Sequence, residues 1–589
     1  MGNEKVYHLL QNVIFPTQSN WEKASLFIRP TSSMKISFNH MFETRLKKDD
    51  FVDLSTFFNA FSHQKWLSLT SLETLSLHLC GSGDICIKIL AFSETAAAKC
   101  IVEKHMSLSK TGSYIDLPAP QNISGQIVAI QINAFGNVCL TKLQWVTEDA
   151  PKRDVNLAAV ITTFKREDVV SKTIKKFRDH VIPYASNNIE LYVVDNGSSV
   201  ELDNVTDKIH LYNNINLGGA GGFARGLIEL QKNGHHTHAL FMDDDAACEP
   251  ESIWRSCKLL AYANDEKLSI AGGMFHSDAP NIQYEKGAIF SQHADGTPWV
   301  AQYNYRDLFD IASVASNDFV DLANYGAWWF FAFPVNEISH YSFPFFVRGD
   351  DIDFSIRNKL NIVTLNGIAS WCENFGYKVT PSVEYLAYRS CLALAFMHGD
   401  FRRVKATLKF CYEHIKVSAL HYQYGCANAV LDAVEDACKG PTFFATNPSP
   451  IQKLRELNKR YPGEKLSEEN FKKLQPIPRN KYKKKKLLGI LSAYGLLLPK
   501  RSIKKQLVHS RIPWDVGKWD LIKTTAIAFG VGDKTLVFAR DRKALASILY
   551  RLIKTRLCLM CRLKQIQYDY KEKSDLYCTK EYWETRFNR

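Results

Sequence analysis

The chain has 589 residues with 46% hydrophobic and 23% charged side chains, the balance of an ordinary globular protein rather than a disordered or fibrous one. It is too long for a single hydrophobic core, so about three domains are expected. The formal net charge is +13. The first 400 residues are close to balanced, and much of the excess sits in a C-terminal block that includes Arg479, Lys481, Lys483–Lys486, Lys500, Arg501, Lys504 and Lys505. The start, Met1-Gly2-Asn3-Glu4-Lys5, lacks the basic-then-apolar pattern of a secretory leader. No apolar run reaches the length of a membrane span, and a cytoplasmic location is expected. Fourteen cysteines form no framework, and the close pair Cys558 and Cys561 lacks a second pair to complete a zinc site. Reduced thiols packed in cores are the expectation.

Residues 1–150 read as β structure. Short alternating runs such as Ile85-Cys-Ile-Lys-Ile89 and Gln126-Ile-Val-Ala-Ile-Gln-Ile132 are separated by Gly, Ser, Asn and Pro, the pattern of a sandwich or barrel. Phe57, Phe58, Phe61 and Trp66 suit either core packing or a sugar-binding face, and core packing is the first reading.

From Pro151 to about residue 400 the pattern alternates strand and helix, as in a Rossmann-like α/β domain. Val155–Ile161 leads to Thr163-Phe-Lys-Arg166, Ile189–Val194 to Asp195, and Ala239–Met242 to Asp243-Asp244-Asp245. Buried parallel strands with helical crossovers place ligands at the strands' C-terminal ends. Arg166, Asp195, Asn216 and the three aspartates therefore converge. Consecutive carboxylates repel one another and call for a cation with oxygen ligands; a solvated turn capping the next helix is the plain alternative. The segment Asn216-Leu-Gly-Gly-Ala-Gly-Gly-Phe-Ala-Arg-Gly226 lacks the ending of a phosphate-binding P-loop. Its glycines serve either close helix packing or close approach of a diphosphate to backbone N–H groups. His235-His236-Thr237-His238 offers no helical ligand spacing and reads as a surface loop. Trp328-Trp329 suits core packing or stacking on a sugar. Asp350-Asp351 opens a helix and either caps it or supplies a general base.

Residues 401–589 read as mainly helical and basic. Leu487–Leu498, between the basic blocks, is too short to span a bilayer. A solvated face around a core helix is the first reading, an anionic membrane surface the second, and nucleic acid the third.

Taken together, Thr163-Phe-Lys-Arg166, the Asn216 glycine segment, Phe241-Met-Asp-Asp-Asp245, Trp328-Trp329 and Asp350-Asp351 resemble the family-2 inverting glycosyltransferases, and among them the polymerising galactofuranosyltransferases of bacterial cell walls. The resemblance covers nearly the whole chain, tail segments Val404–Lys409 and Lys580–Glu584 included. It implies a multidomain α/β protein with an N-terminal β-sandwich (1–150), a GT-A domain (151–400) and a C-terminal helical domain (401–589). Arg166, Asp195 and Asn216 would contact a uridine diphosphate, with Asp244 alongside. Asp243 and Asp245 would hold Mn²⁺ or Mg²⁺, and Trp328 and Trp329 would shape the sugar pocket. Asp351 would be the general base, with Asp350 binding the acceptor. The implied partners are a UDP-sugar donor, UDP-galactofuranose first, a lipid-linked glycan acceptor, the inner face of the cytoplasmic membrane and further copies of the chain, with no nucleic acid. Another nucleotide sugar, or a non-catalytic glycan-binding role, are the alternatives. The chain departs from the family where a metal-binding histidine is expected: Trp371 is followed by Cys372 and Glu373. A second family histidine falls on Ala387. A thiolate is a poor match for Mg²⁺ or Mn²⁺, so Cys372 is left out of the ligand set.

Overall fold

The computed structural model describes residues 5–30, 41–95, 97–201, 206–290, 300–301, 305–318, 323–373, 380–460, 464–466, 492, 498, 507–510, 526–531 and 534–587. The basic clusters at 479–486 and 500–505 and most of the Leu487–Leu498 run lie outside the described residues.

The N-terminal part is a sandwich of two antiparallel sheets. One holds His8–Asn12, Val138–Thr147, Ser76–Ser82 and Ser113–Asp116, with Thr44–Leu46 on the Val138 strand. The other runs Arg29–Pro30, Phe51–Asp53, Ile127–Ala134, Asp84–Phe92 and Ala98–Ser107. Alternation along these strands sends Ile85, Ile87 and Ile89 inward. Phe57, Phe58, Phe61 and Trp66 are buried, so these rings serve the core and present no sugar-binding face.

The central sheet is built from β1 (Asn156–Thr163), β2 (Asn188–Asp195), β3 (Ile209–Asn213) and β4 (His238–Asp243), all parallel, in the order β3-β2-β1-β4. Helix α1 (Glu167–Lys176) follows β1, and α2 (Gly218–Asn233) connects β3 to β4. Beyond β4 the sheet continues through Phe331–Pro334, which is antiparallel to it, then Leu268–Ala271 and Asn361–Val363. Register sets Thr163 against Asp195 and Thr162 against Asp243, so the polar strand ends share one edge.

After β4 come α3 (Pro250–Tyr262), β5 (Gly273–His276), β6 (Ala279–Lys286), α4 (Asp350–Asn358) and β7 (Ala369–Cys372). A second sheet pairs Ala247–Cys248, β7, β5, β6 and Arg306–Asp307 in that order. The sandwich packs directly on this layer: Phe57 lies 5.2 Å from Phe275 and Phe58 lies 6.0 Å from Trp371, centroid to centroid. Buried polar links reinforce the contact, with Asn12 Nδ2 donating to Glu251 Oε2 at 2.8 Å and Arg255 donating to the Phe58 carbonyl at 2.7 Å. One apolar core runs from Leu10 through Trp145 to Trp371. Truncating a buried aromatic ring there would cost about 3–5 kcal/mol, so the sandwich contributes to the rigidity of the layer behind the strand ends.

Helices α5 (Pro381–His398), α6 (Phe401–Leu420), α7 (Tyr424–Ala437), α8 (Arg542–Met560), α9 (Leu563–Lys573) and α10 (Lys580–Phe587) make up most of the rest. A four-stranded sheet of Glu464–Leu466, Lys534–Ala539, Ala526–Val531 and Leu507–Ser510 accompanies them, which the mainly helical expectation did not include. The chain end returns to the central domain: Trp583 is fully buried and donates from Nε1 to the Ser342 carbonyl at 3.1 Å. No helix among the described residues is long and apolar enough to cross a membrane. The cysteines are all free, but Cys100, Cys558 and Cys561 are exposed rather than packed in a core. The histidine loop is also not the surface loop expected, since His236 and His238 are buried and only His235 reaches solvent substantially.

Candidate active site

A cleft of about 420 Å³ opens at the C-terminal ends of the parallel strands, within the range of about 300–1,000 Å³ common for ligand sites. Asp243, at the end of β4, forms one wall together with Gly219 at the start of α2. Asp350 and Asp351, in the first turn of α4, line the cleft with Trp328, Trp329 and Arg348. Five of the residues singled out from sequence thus meet in one cavity.

Local structure explains how they are held. Gly349 precedes α4 with φ +87°, a left-handed conformation that glycine adopts without a Cβ penalty. The turn places both aspartates at the helix N-terminus, where the backbone N–H groups point outward. Ile352 N–H donates to Asp351 Oδ1 at 2.9 Å. Asp353, one turn deeper, fixes the helix: it accepts from Arg357 Nε at 2.8 Å and pairs with His398 Nε2 at 2.7 Å. Burial alone would raise its carboxyl, but Arg357 and His398 outweigh that and hold it down at about 2.

The cleft carboxyls behave differently. Burial, reinforced by its neighbour Asp351, pushes Asp350 well above the ordinary carboxyl value, while burial pushes Asp351 up only to about 6 against the pull of backbone N–H groups and Arg348. Glu285, on β6, also lines the cleft and is pushed up to about 8 by burial and by Asp351. Asp351 is therefore the readiest of the three to act as an anionic base, whereas Asp350 and Glu285 are held further toward their protonated, hydrogen-bond-donating forms. Glu285 was missed at the sequence level. It lies in a half-buried strand of the second sheet, and no spacing ties it to the paired aspartates 65 positions later.

The remaining predicted residues form a bracket at the same strand ends rather than the cleft wall. Arg166 donates from one nitrogen to Asp244 Oδ1 at 2.7 Å and from another to Asp245 Oδ2 at 2.8 Å. Asp244 is buried and also accepts from Thr163 Oγ1 at 2.7 Å. Asp195 is fully buried, with its carboxylate accepting backbone N–H groups from Gly197 at 2.8 Å, Ser199 at 2.5 Å and Val200 at 2.7 Å. Its visible work is to shape the loop after β2. Asn216 accepts from Gly218 N–H at 3.0 Å and closes the turn into α2. Trp328 is buried among Phe223, Phe241 and Phe354. Trp329 is partly exposed and anchored by Nε1 to the Gly272 carbonyl at 3.0 Å.

The glycine segment packs a helix close to a strand. A Cβ on Gly222 would lie 2.0 Å from Thr162 Oγ1, and one on Gly226 would lie 2.3 Å from Val160 Cγ1. A Cβ on Gly219 would meet Asp350 Oδ2 at 3.3 Å, so helix packing and access to the cleft draw on the same run of small residues.

Asp243 and Asp245 offer hard carboxylate oxygens, a donor set suited to Mg²⁺ or Mn²⁺. One oxygen of Asp245 is engaged by Arg166. Cys372 ends β7, buried, with β7 next to the Ala247–Cys248 strand that follows the aspartates. Glu373 acts electrostatically on Arg166, and Ala387 lines the cleft from α5.

Residues 154–359 match the family model described as Glycosyltransferase like family 2. The chain is 24% identical to the galactofuranosyltransferase GlfT2 of Mycobacterium tuberculosis (strain ATCC 25618 / H37Rv), over 91% of this chain and 90% of that protein. It is 25% identical to GlfT2 of Mycolicibacterium smegmatis (strain ATCC 700084 / mc(2)155), over 70% of this chain and 68% of that protein. Among solved structures, it is similar to a mannosyltransferase from Pyrobaculum calidifontis at 12% identity and a TM-score of 0.26, covering 53% of this chain and 84% of that one.

Proposed function

We propose, from the premise that this chain is a glycosyltransferase with a family-2 domain over residues 154–359, that it transfers galactofuranose from UDP-galactofuranose to a lipid-linked glycan acceptor with inversion at the anomeric carbon. The observation that carries this reading is the cleft at the strand ends, where Asp243 of β4 shares one cavity with Asp350 and Asp351 of α4, Trp328 and Trp329. The galactofuranosyl donor is taken from the named relatives.

In the reaction, Asp351 accepts the proton of the acceptor hydroxyl as that oxygen bonds to the anomeric carbon and the bond to the diphosphate oxygen breaks. Asp350 and Glu285 orient the acceptor by donating hydrogen bonds, and the Trp329 face borders the sugars. Arg166 keeps Asp244 and Asp245 in place at the strand ends. Asp243 and Asp245 would hold a divalent cation, which when bound supplies charge neutralisation at the leaving diphosphate. Asp195 and Asn216 shape the two loops that border the nucleotide. The acceptor implies work at the inner face of the cytoplasmic membrane, and a homo-oligomer is part of the same reading. So is the division into a sandwich (1–150), a transferase domain (151–400) and a C-terminal domain (401–589).

Cys372 and Ala387 in place of histidines favour one second reading, the same chemistry with a different nucleotide sugar. Incubation with a panel of UDP- and dTDP-sugars, Mn²⁺ and a synthetic lipid-linked acceptor, followed by mass spectrometry, separates the two. Turnover with UDP-galactofuranose alone supports the first, and turnover with another donor supports the second. Absence of turnover with every donor, with glycan binding that survives Asp351→Ala, overturns both.

A further inference from the structure

At the opposite ends of the parallel strands, three histidines from two distant segments close on one carboxylate. Glu190 is the third residue of β2, on the order of 16 Å along the strand from Asp195. His210 of β3 reaches Glu190 Oε2 from Nε2 at 2.9 Å. His235 Nε2 lies 3.0 Å from Oε1, and His236 Nε2 lies 3.4 Å from Oε2. The fold brings them together by two routes. Register pairs Tyr192 with His210, which puts His210 on the face that Tyr192 and Glu190 share by alternation. Gly234, with φ +75°, ends α2 and turns the chain so that His235 and His236 come back over the sheet edge.

A tyrosine also reaches this cluster. The Tyr192 hydroxyl accepts from Asn233 Nδ2 and lies 3.0 Å from His236 Nε2. The phenolic oxygen can equally accept from an Nε2–H, so without a metal the cluster is satisfied by hydrogen bonds. A divalent cation is the other arrangement that Glu190, His235 and His236 fit.

The spacing suits one. Ligand atoms of Glu190, His235 and His236 all lie within 4.8 Å of one another. A tetrahedral ion with bonds of about 2.0–2.2 Å holds its ligands roughly 3.3 Å apart, and His235 Nε2 lies 3.0 Å from one carboxylate oxygen and His236 Nε2 3.4 Å from the other. Two imidazoles with one carboxylate favour Zn²⁺ over Mg²⁺ or Mn²⁺, which prefer all-oxygen sets. His235, 48% exposed at its side chain, provides the entry path.

We propose that Glu190, His235 and His236, with His210 orienting the carboxylate, form a Zn²⁺ site that fastens the loop after α2 to the edge of the central sheet. The site is separate from the catalytic cleft and from the aspartates at the strand ends.

The test uses the full-length chain in excess Mg²⁺, which occupies oxygen sites without competing for imidazole. Bound Zn²⁺ is measured by equilibrium dialysis with elemental analysis, and unfolding temperature is followed with and without Zn²⁺. The wild type is expected to hold one more Zn²⁺ per chain than His235→Ala and to gain unfolding temperature on Zn²⁺ addition, a gain that His235→Ala lacks. Removal of the orienting imidazole in His210→Asn should weaken Zn²⁺ binding about 10- to 100-fold. Glycosyl transfer by His235→Ala in Zn²⁺-free buffer should match the wild type, which also shows the variant to be folded. Equal Zn²⁺ stoichiometry and equal Zn²⁺ stabilisation in the wild type and His235→Ala would overturn the proposal.

Discussion

Arg166 donates to Asp244 Oδ1 at 2.7 Å, so the residue that ends the first βα turn supports the middle aspartate of the triplet that ends β4. The guanidinium is 43% exposed at its side chain and Asp244 only 6%. The pair is therefore only partly shielded, and its contribution to stability is small, about 0–1 kcal/mol. Its contribution to geometry is larger, because the same guanidinium also holds Asp245 at 2.8 Å. Arg166→Ala should leave the unfolding temperature nearly unchanged while lowering kcat/KM for the nucleotide sugar about tenfold or more. Arg166→Lys should recover little, since a single ammonium cannot hold two carboxylates in a fixed fork. Steady-state kinetics beside a thermal melt would decide, and a wild-type kcat/KM in Arg166→Ala would count against the bracket.

The second prediction concerns Asp351. Its carboxyl is pushed up to about 6 by burial, so the anionic base is lost as pH falls through about 6, and kcat/KM should fall with it. Asp351→Asn should reduce kcat about 10²- to 10⁴-fold, the usual contribution of a positioned base, with donor binding retained. The sign for stability is opposite. A folded-state value raised above the ordinary one favours the protonated form, so this group's contribution is fully present below the ordinary carboxyl range and is lost as pH rises through about 6. Asp351→Asn should thus melt higher than the wild type near neutral pH while being nearly inactive. A lower melting temperature for this variant would show that the buried anion is not under strain.

Much of this site is legible in the sequence, and the reasons are local. Apolar runs ending in polar residues mark Thr163, Asp195 and Asp243, and parallel pairing turns those three endings into one edge. Asp350 and Asp351 are legible because a glycine and a helix start stand beside them. What the sequence hides depends on long-range pairing. Arg166 meets Asp244 across 78 positions, an engagement with the aspartates that no local pattern announces. Glu285 reaches the cleft through the order of the second sheet. His210 joins His235 and His236 only through the register of β2 with β3. The small C-terminal sheet pairs Glu464–Leu466 with Thr535–Val537, and neither short segment announces a partner so far away.

The third prediction concerns the alkaline side of the pH profile. Glu285 is pushed up to about 8 by burial and by Asp351. Above that pH it ionises next to an already anionic Asp351, loses its donor proton and repels a donor substrate rich in phosphate charge. kcat/KM should therefore fall above about 8, giving a bell with the acid limb set by Asp351. Glu285→Gln keeps a hydrogen-bond donor without a titrating proton, so the alkaline limb should disappear while the acid limb persists. Glu285→Ala should lose activity across the whole range. An alkaline limb unchanged in Glu285→Gln would assign it to another group.

The fourth prediction separates the two uses of the glycine segment. A Cβ at Gly222 would lie 2.0 Å from Thr162 Oγ1 and 2.8 Å from Thr162 Cβ, inside a strand that cannot move without breaking its pairing with β2 and β4. Gly222→Ala should destabilise the fold by about 1–3 kcal/mol through overpacking. At Gly136 a Cβ would meet nothing within 4 Å, so Gly136→Ala should be close to neutral. Gly219 lies between these cases, because its nearest neighbour is Asp350 Oδ2 at 3.3 Å rather than backbone. Gly219→Ala should therefore unfold much like the wild type but raise KM or lower kcat, since its methyl crowds a carboxyl in the cleft. Denaturant melts and kinetics on the three variants would test the ordering. A Gly219→Ala enzyme as unstable as Gly222→Ala would mean that helix packing alone accounts for the segment.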